Sequence, residues 1–183
     1  MDFDPADDLK DIEAAKAGDL AAFERLVRRD PPAVYAHALR FFRDSSTAED
    51  MAQEVFLKVF RSLDSFDARS KFSTWLFRVT RNACLDEMRT GRRRPVPVDP
   101  IAHDTAVAED FSDGVDLRAS LEIAMATLAP EDRDALSAVT VFDLGYAEAA
   151  DALGVPAGTV KSRVFRARRA LAAQLGSAQG GAR

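Results

Sequence analysis

The chain has almost none of the residues needed for a disulfide, a metal centre or a membrane span. Its 183 residues include one cysteine, Cys84, and two histidines, His37 and His103. One cysteine cannot form an internal disulfide, and two distant histidines cannot form a local metal-binding cluster. No apolar run approaches the roughly 20 residues that a membrane span needs, and the acidic segment 1–8 does not resemble a signal peptide. We therefore expect a cytoplasmic protein without metal or cofactor.

The sequence also lacks the common signatures of catalysis. It contains no GxGxxG, GxxxxGK[ST] or GxSxG pattern, so the usual nucleotide-binding and acyl-transfer motifs are absent. No nucleophile–base pair and no metal-ligand spacing supports a small helical hydrolase or transferase. We expect that the protein is not an enzyme.

The charged residues are sorted into blocks along the chain. The formal net charge is −5, from 25 Lys and Arg against 30 Asp and Glu. Residues 71–94 nevertheless hold seven basic and two acidic groups, and residues 156–183 hold six basic groups and no acid. Acids dominate segments 1–19, 95–116 and 117–155. Two separate basic blocks predict two contacts with a polyanion, although solvent-exposed helix faces give the same pattern.

Apolar residues recur at helical spacing along almost the whole chain, and strand signals are nearly absent. Helices are expected over 7–17, 20–29, 32–43 and 73–91, with another from residue 46 to a polar loop over 62–71. After a linker, helices are expected over 117–128, from 130 to before Gly145, over 146–153 and over 157–171. This pattern predicts an all-α fold.

Local signals mark several helix starts. Asp19 is a candidate N-cap for the helix from residue 20, and Ser46 to Glu49 are typical of a capping box. Ser73 or Thr74 is the candidate cap of the helix that ends near residue 91. The helix expected from residue 46 carries an apolar stripe that should pack inward. This stripe consists of Met51, Val55, Phe56, Val59 and Phe60.

A change of composition divides the chain into two small helical domains joined by a flexible acidic linker. The linker is rich in proline and acids and has little apolar periodicity. The predicted parts are an acidic segment 1–17, a domain 18–94, the linker 95–116, a second domain 117–175 and a tail 176–183.

The second domain contains a helix-turn-helix pattern. A short helix over 146–153 is followed by Gly154, Val155 and Pro156, and a second helix then begins near Ala157. Helix, tight glycine turn and helix is the arrangement of many duplex DNA readers. Lys161, Ser162, Phe165 and Arg166 share one face of the second helix. A helical hairpin without DNA binding is the alternative.

The first domain combines aromatic and basic residues in its last helix. Trp75 and Phe77 alternate there with Arg78 and Arg81. Aromatic rings stack on unpaired bases while cations hold phosphates, so this helix is a candidate site for single-stranded nucleic acid. The simpler interpretation places the aromatic side chains in the core. Cys84, in the same helix, is expected to be a small buried residue.

Several of these segments resemble bacterial sigma factors. Residues 50–57 (Asp-Met-Ala-Gln-Glu-Val-Phe-Leu) and 72–82 are similar to the second conserved region of that family. Residues 128–133 and 158–168 are similar to the fourth. Because only these two regions and a short linker are present, the chain resembles the extracytoplasmic-function (ECF, group IV) subfamily of the sigma-70 family. The resemblance covers residues 18–94 and 117–175.

The resemblance implies a transcription-initiation subunit that binds core RNA polymerase and promoter DNA. In the family, an Asp-x-x-Gln-Glu helix binds the clamp helices of the β′ subunit, and the β subunit is a further partner. The residues matched to that role are Asp50, Gln53, Glu54, Phe56 and Leu57.

The resemblance also implies two sites for promoter DNA. Candidates for capturing the −10 element as single strand are Phe66, Arg69, Lys71, Phe72, Thr74, Trp75, Arg78 and Asn82. Candidates for reading the −35 element as duplex are Thr159, Lys161, Ser162, Arg163, Phe165, Arg166, Arg168 and Arg169.

Further expectations follow from the family alone. It implies an anti-sigma factor that holds the protein inactive, in some cases near the membrane, and a stress or envelope-response regulon. It implies that the acidic linker mimics nascent RNA inside the polymerase, with a plain tether as the alternative. The competing hypothesis for the whole chain is a two-domain helix-turn-helix regulator that binds duplex DNA without joining polymerase.

Overall fold

The computed structural model describes residues 5–28, 30–91, 124–125 and 127–180, and every regular element within them is helical. The all-α prediction is therefore confirmed. The predicted linker 95–116 and most of the predicted helix 117–128 lie outside the described residues. The helices are α1 (Pro5–Lys16), α2 (Leu20–Val27), α3 (Pro31–Phe42), α4 (Ser45–Ser62), α5 (Phe72–Gly91), α6 (Pro130–Thr140), α7 (Tyr146–Leu153) and α8 (Ala157–Gly180).

Helix starts in the first domain agree in part with the sequence signals. Asp19 caps α2 as predicted, because its carboxylate accepts hydrogen bonds from the backbone N–H groups of Ala21 and Ala22. The capping box predicted at Ser46 is wrong: the N-cap is two residues earlier, at Asp44, whose carboxylate accepts the Thr47 N–H at 2.6 Å. Asp44 binds this donor directly, so Ser46 is drawn into the first turn.

The predicted caps of α5 are also wrong. This helix begins at Phe72, so Ser73 and Thr74 lie inside its first turn. The carbonyl oxygen of Lys71 accepts the N–H groups of Thr74 and Trp75, which sets the start of the helix. The basic–aromatic segment is thus helical from its first aromatic residue.

Helix α4 provides much of the first domain's core. Val55 and Val59 are fully buried, Met51 is nearly so, and Phe56 is half-buried. Phe60 departs from the predicted inward stripe, because 46% of it is exposed and its ring packs edge-on against Phe23 with centroids 5.1 Å apart. The contact with α2 therefore holds Phe60 at the surface.

The second domain follows its sequence signals closely. Pro130 occupies the first turn of α6, where its missing N–H costs nothing. Helix α7 spans the predicted residues and is followed by the C-cap Gly154, whose φ of +67° favours a residue without Cβ. Val160 and Val164 of α8 are buried against the preceding helices. Helix α8 extends beyond the predicted end at residue 171, to Gly180.

The two domains pack against each other, which the sequence did not predict. Helix α5 contacts α7, and the buried apolar residues of both domains form one continuous cluster. At the centre of the contact, the Phe77 ring of α5 lies 5.2 Å from that of Phe142, which follows α6, and 5.5 Å from His37 of α3. The predicted site helices α5 and α8 therefore belong to one packed body.

Candidate nucleic-acid interface

Helix α8 presents the predicted duplex-reading face to solvent. Lys161, Ser162, Phe165 and Arg166 are exposed, and Phe165 is exposed over 66% of its surface. The opposite side of the helix is anchored by buried Val160, Val164 and Ala167. The remaining members of the predicted set are Thr159 and Arg163, which are half-buried, and Arg168 and Arg169, which are exposed.

Two of the α8 cations already have partners within the second domain. The Arg166 guanidinium makes a two-pronged hydrogen bond to the Asp132 carboxylate of α6, with N···O distances of 2.6 and 3.1 Å. This hydrogen bond raises the pKa of Arg166, so the side chain stays charged. The ammonium of Lys161 lies 5.7 Å from the ring centroid of Tyr146 on α7, within cation–π range. Both cations remain exposed while they make these contacts.

The aromatic residues of the predicted single-strand site pack on one another. Ring centroids of Phe66, Phe72 and Trp75 lie 5.5 to 5.9 Å apart in tilted and edge-on pairs. Phe66 and Phe72 are buried, whereas Trp75 is half-buried. Trp75 is therefore the ring of this cluster that is open to solvent.

The polar residues of the predicted single-strand site differ in exposure. Arg69, Lys71 and Asn82 are exposed, Arg78 is half-buried, and Thr74 is buried with no hydrogen-bond partner for its hydroxyl oxygen. In the loop before α5, Arg69 pairs with Asp67 at 3.1 Å. The arrangement gathers the predicted cations at the start of α5 but leaves Thr74 enclosed.

Cations on α5 and just before its first residue pair with acids of the second domain. Lys71 Nζ lies 2.8 Å from Glu148 Oε1, and Arg78 donates a hydrogen bond to Asp151, both acids being on α7. Arg81, one turn further along α5, donates to the Asp134 carboxylate of α6 at 2.6 Å. These three ion pairs join the first domain to α6 and α7 of the second domain.

Burial changes the protonation behaviour of groups at this contact. Burial raises the pKa of Asp134, and the Arg81 hydrogen bond opposes that shift. Burial lowers the pKa of His37 to about 3, with smaller contributions from Arg40 and Arg81. His37 is therefore neutral at physiological pH, and its Nδ1 lies 2.8 Å from Ser137 Oγ.

Sequence analysis did not identify His37, Ser137, Asp134 or Phe142 as a contact between domains. Helical periodicity marks a residue as inward-facing but does not say which element it faces. His37 lies between alanines on an apolar helix, and that spacing was the only available signal. Partners 100 positions apart leave no local pattern.

Helix α4 carries the residues matched to polymerase binding. Asp50, Gln53 and Leu57 are exposed, and Glu54 and Phe56 are half-buried. Asp50 and Glu54 also line an open groove of about 620 Å³ between α4 and α5, together with Asp86 and Glu87. This surface offers acids beside an apolar side chain.

Other kinds of site were sought in the described residues. Within residues 5–28, 30–91, 124–125 and 127–180, no group of three or more His, Cys, Asp or Glu side chains is placed to hold a metal ion. In the same part of the chain, no helix is long and apolar enough to cross a membrane. Cys84 is buried as predicted, and burial raises the pKa of its thiol to about 12.

A turn-linked helix pair with an exposed basic second helix defines a helix-turn-helix DNA-binding protein, here with a second helical domain packed against it. Residues 26–94 match Sigma-70 region 2, and residues 118–171 match Sigma-70, region 4. The chain is 37% identical over 171 residues to the ECF RNA polymerase sigma factor SigM of Mycobacterium tuberculosis, which covers 90% of this chain and 83% of that relative.

Two solved structures are similar along most of the chain. CnrH in complex with the cytosolic domain of CnrY has a TM-score of 0.72 and 26% identity, covering 93% of this chain and 98% of that one. The sigma factor RpoE of Bartonella quintana, in complex with the anti-sigma factor NepR, has a TM-score of 0.68 and 28% identity, covering 84% and 96%. The chain belongs to the ECF sigma factors of the sigma-70 family, which associate with RNA polymerase.

Proposed function

We propose that this chain directs core RNA polymerase to promoters by reading the −35 element through α8 and holding the −10 element through α5. The observation that carries this proposal is the outward face of α8. Lys161, Phe165 and Arg166 project together from a helix whose other side is buried. A helix of this kind fits the major groove, where Arg and Lys bind base edges and phosphates.

Helix α5 would act on DNA after the duplex separates. Its half-buried Trp75 offers a ring for stacking. Lys71 lies just before the first residue of the helix, and Arg78 and Asn82 lie along it. Capturing an unpaired base costs a few kcal/mol of unstacking, which stacking and charge-assisted contacts offset. Promoter opening in this mechanism depends on binding single strand more tightly than duplex.

Helix α4 would attach the protein to polymerase. The exposed Asp50, Gln53 and Leu57 share one side of the helix, with Glu54 beside them. Acidic and amide side chains around one apolar anchor fit a basic helical surface such as the β′ clamp helices implied by the family. The β subunit would contact the remainder of the chain.

The family also supports several broader proposals. We expect the protein to act in the bacterial cytoplasm, without catalytic chemistry of its own, on genes of a stress or envelope response. Bartonella quintana RpoE is bound by the anti-sigma factor NepR, and we propose that an anti-sigma factor likewise holds this chain inactive. Such a partner could also keep the protein near the membrane.

Initiation from unknown promoters tests the proposed function directly. The purified chain is combined with core polymerase and a library of random duplex DNA, and the templates that yield transcripts are sequenced. We expect enrichment of two short elements at a fixed spacing, with core polymerase alone as the control. Duplex binding without any core-dependent transcript would favour the competing two-domain regulator.

A further inference from the structure

We propose that Asp132 of α6 is a positioning residue for promoter recognition: it holds one edge of the Arg166 guanidinium of α8 and leaves the other edge free to read a base pair. This inference rests on the proposed role of α8 at the −35 element. It adds a residue that would not itself touch DNA and that belongs to another helix. Specificity at one base pair would then depend on a carboxylate behind the recognition face.

Two hydrogen bonds orient the guanidinium. Arg166 Nε donates to Asp132 Oδ2 at 3.1 Å, and Arg166 Nη2 donates to Asp132 Oδ1 at 2.6 Å. A guanidinium carries five N–H groups in one rigid plane. The bonds to Asp132 use the edge formed by Nε and Nη2. The end of the fork, formed by Nη1 and the second N–H of Nη2, is therefore left for another partner.

Asp132 is the fixed member of this pair. Its side chain is only 12% exposed, whereas that of Arg166 is 58% exposed. Asp132 lies in the first turn of α6, just after Pro130, and the N-terminal end of a helix favours a negative charge. Helix α6 also packs directly against α8. The carboxylate is thus held by its own helix and its surroundings, and the arginine takes its orientation from the carboxylate.

The open end of the fork suits a base edge. Two parallel N–H groups match two neighbouring acceptors, and the major-groove edge of guanine offers such a pair. An unrestrained arginine would lose side-chain freedom on binding in this one orientation, and it could bind a phosphate oxygen equally well. A side chain that is already oriented loses less freedom. Asp132 would therefore favour base reading over phosphate binding by Arg166.

Discrimination between duplexes by the holoenzyme tests this role. The probe is the −35 sequence that the unaltered holoenzyme selects from random duplex DNA, with each base pair changed in turn. Arg166→Ala identifies the base pair at which discrimination depends on Arg166. Asp132→Asn keeps the size of the side chain but replaces one acceptor oxygen with an N–H donor group. It should reduce discrimination at that base pair about three- to ten-fold and leave the other base pairs unchanged.

Two comparisons separate positioning from a general effect of charge. Glu131→Gln removes one negative charge from the neighbouring exposed residue in the same turn of α6, and it should leave discrimination unchanged at every base pair. In an Arg166→Ala background, Asp132→Asn should have no further effect, because the side chain that it orients is gone. An equal effect of Glu131→Gln, or an effect that persists without Arg166, would overturn the proposal.

A loss of stability is distinguished by its pattern. If Asp132 only stabilised the second domain, Asp132→Asn would weaken binding to all duplexes alike, and that result would overturn the proposal. Thermal melting verifies that each variant is folded. If Asp132→Asn does not fold, Asp132→Glu provides the same test, because it keeps the charge but displaces the carboxylate by one methylene group.

The contact itself is measured by NMR in the full chain without DNA or polymerase. The Nε–H proton of Arg166 should exchange with water more slowly than those of Arg168 and Arg169, which are exposed on the same helix. Equal exchange rates would overturn the positioning by Asp132. A holoenzyme that selects no duplex would refute the proposed function. A holoenzyme that selects duplexes but discriminates equally well with Asp132→Asn would refute only the role of Asp132.

Discussion

His37 Nδ1 on α3 and Ser137 Oγ on α6 lie 2.8 Å apart in the buried centre of the contact between the two domains. Burial lowers the pKa of His37 to about 3, so the pair exists with a neutral imidazole. The ring also packs edge-on against Phe142 and Phe77. A titratable group thus lies where the sigma-70 regions 2 and 4 meet.

Acidification should weaken the contact between the two domains. An accessible His37 with its ordinary pKa of 6.5 takes up a proton below that pH, whereas His37 buried in the domain contact resists protonation until about pH 3. The contribution of His37 to the domain contact is therefore complete only well above pH 6.5, and it decreases as pH falls, by about 2 kcal/mol at pH 5. The raised pKa of Asp134 has the opposite effect, because protonation of this buried carboxyl group favours the domain contact as pH falls.

Spin labels at Asp64→Cys, in the turn after α4, and at Ala172→Cys, on α8, report the distance between the two domains, since both positions are exposed and native Cys84 is buried. Their distances at about pH 7.5 and pH 5, on either side of the ordinary histidine pKa, measure this effect. His37→Gln keeps a hydrogen-bonding group near Ser137 but does not titrate, so its distance distribution should change little between the two values. A response to pH as large as that of the unaltered chain would assign the effect to other groups.

Arg166→Ala should weaken recognition of the upstream promoter element. Losing a guanidinium contact to a base edge costs on the order of 1–3 kcal/mol. Holoenzyme binding to duplexes with and without the −35 element measures the loss. Arg169→Ala, expected to remove a phosphate contact, should reduce binding to both duplexes equally; the same pattern in Arg166→Ala would contradict base readout.

Trp75→Ala should impair promoter opening and leave closed-complex binding nearly unchanged, because its ring is needed only when bases are unpaired. Permanganate reactivity of thymines measures opening, and duplex binding is measured in parallel. The ring also packs on Phe66 and Phe72, so Trp75→Phe serves as the conservative control and thermal melting monitors stability. If Trp75→Ala reduced duplex binding as much as promoter opening, this division of roles would be wrong.

Leu57→Ala should weaken binding to core polymerase without destabilising the protein. Leu57 is 49% exposed on the α4 face that carries Asp50 and Gln53, so its truncation leaves no cavity. Competition for core polymerase measures the affinity. Leu20→Ala removes another exposed leucine, on α2, and should have no effect; equal losses in both variants would argue against a specific α4 contact.

Asp44→Ala should destabilise the first domain by about 1 kcal/mol, the usual cost of an N-cap. Hydrogen bonds from the Thr47 side chain and then from the Thr47 N–H lower the pKa of Asp44. The stabilisation is therefore present above the ordinary carboxyl pKa and is lost as pH falls through the lowered one. Urea unfolding of Asp44→Ala and Ser46→Ala compares the two candidate caps, and a larger effect for Ser46→Ala would restore the capping box.

Local signals predicted the parts of the fold that depend on local interactions. Asp19 caps α2 and Pro130 opens α6 as expected, because a cap or an N-terminal proline acts within one turn. The same signals misplaced the start of α4, where Asp44 and Ser46 competed for the same role and the better-placed carboxylate was selected. Two plausible caps two residues apart cannot be ranked without geometry.

The candidate site could be predicted only in outline. The face of α8 is exposed as its spacing indicated, since periodicity separates Val160 and Val164 from Lys161 and Phe165. The aromatic residues of α5 are divided between surface and core, because Phe72 packs under Trp75 while both fit the same pattern. The exposure of an aromatic side chain on a helix that mixes apolar and charged residues depends on which other elements pack against that helix.

The amino-acid sequence by itself determined the helices, the helix-turn-helix and the family, because periodicity, caps and motifs act over a few residues. The tertiary structure alone decided that the acids of α7 face the cations of α5, and that His37 is buried against Ser137. Those partners are separated by 73 to 100 positions, and pairing across such distances depends on how whole helices pack. The local pattern of charges and apolar residues is the same whether the domains touch or stay apart.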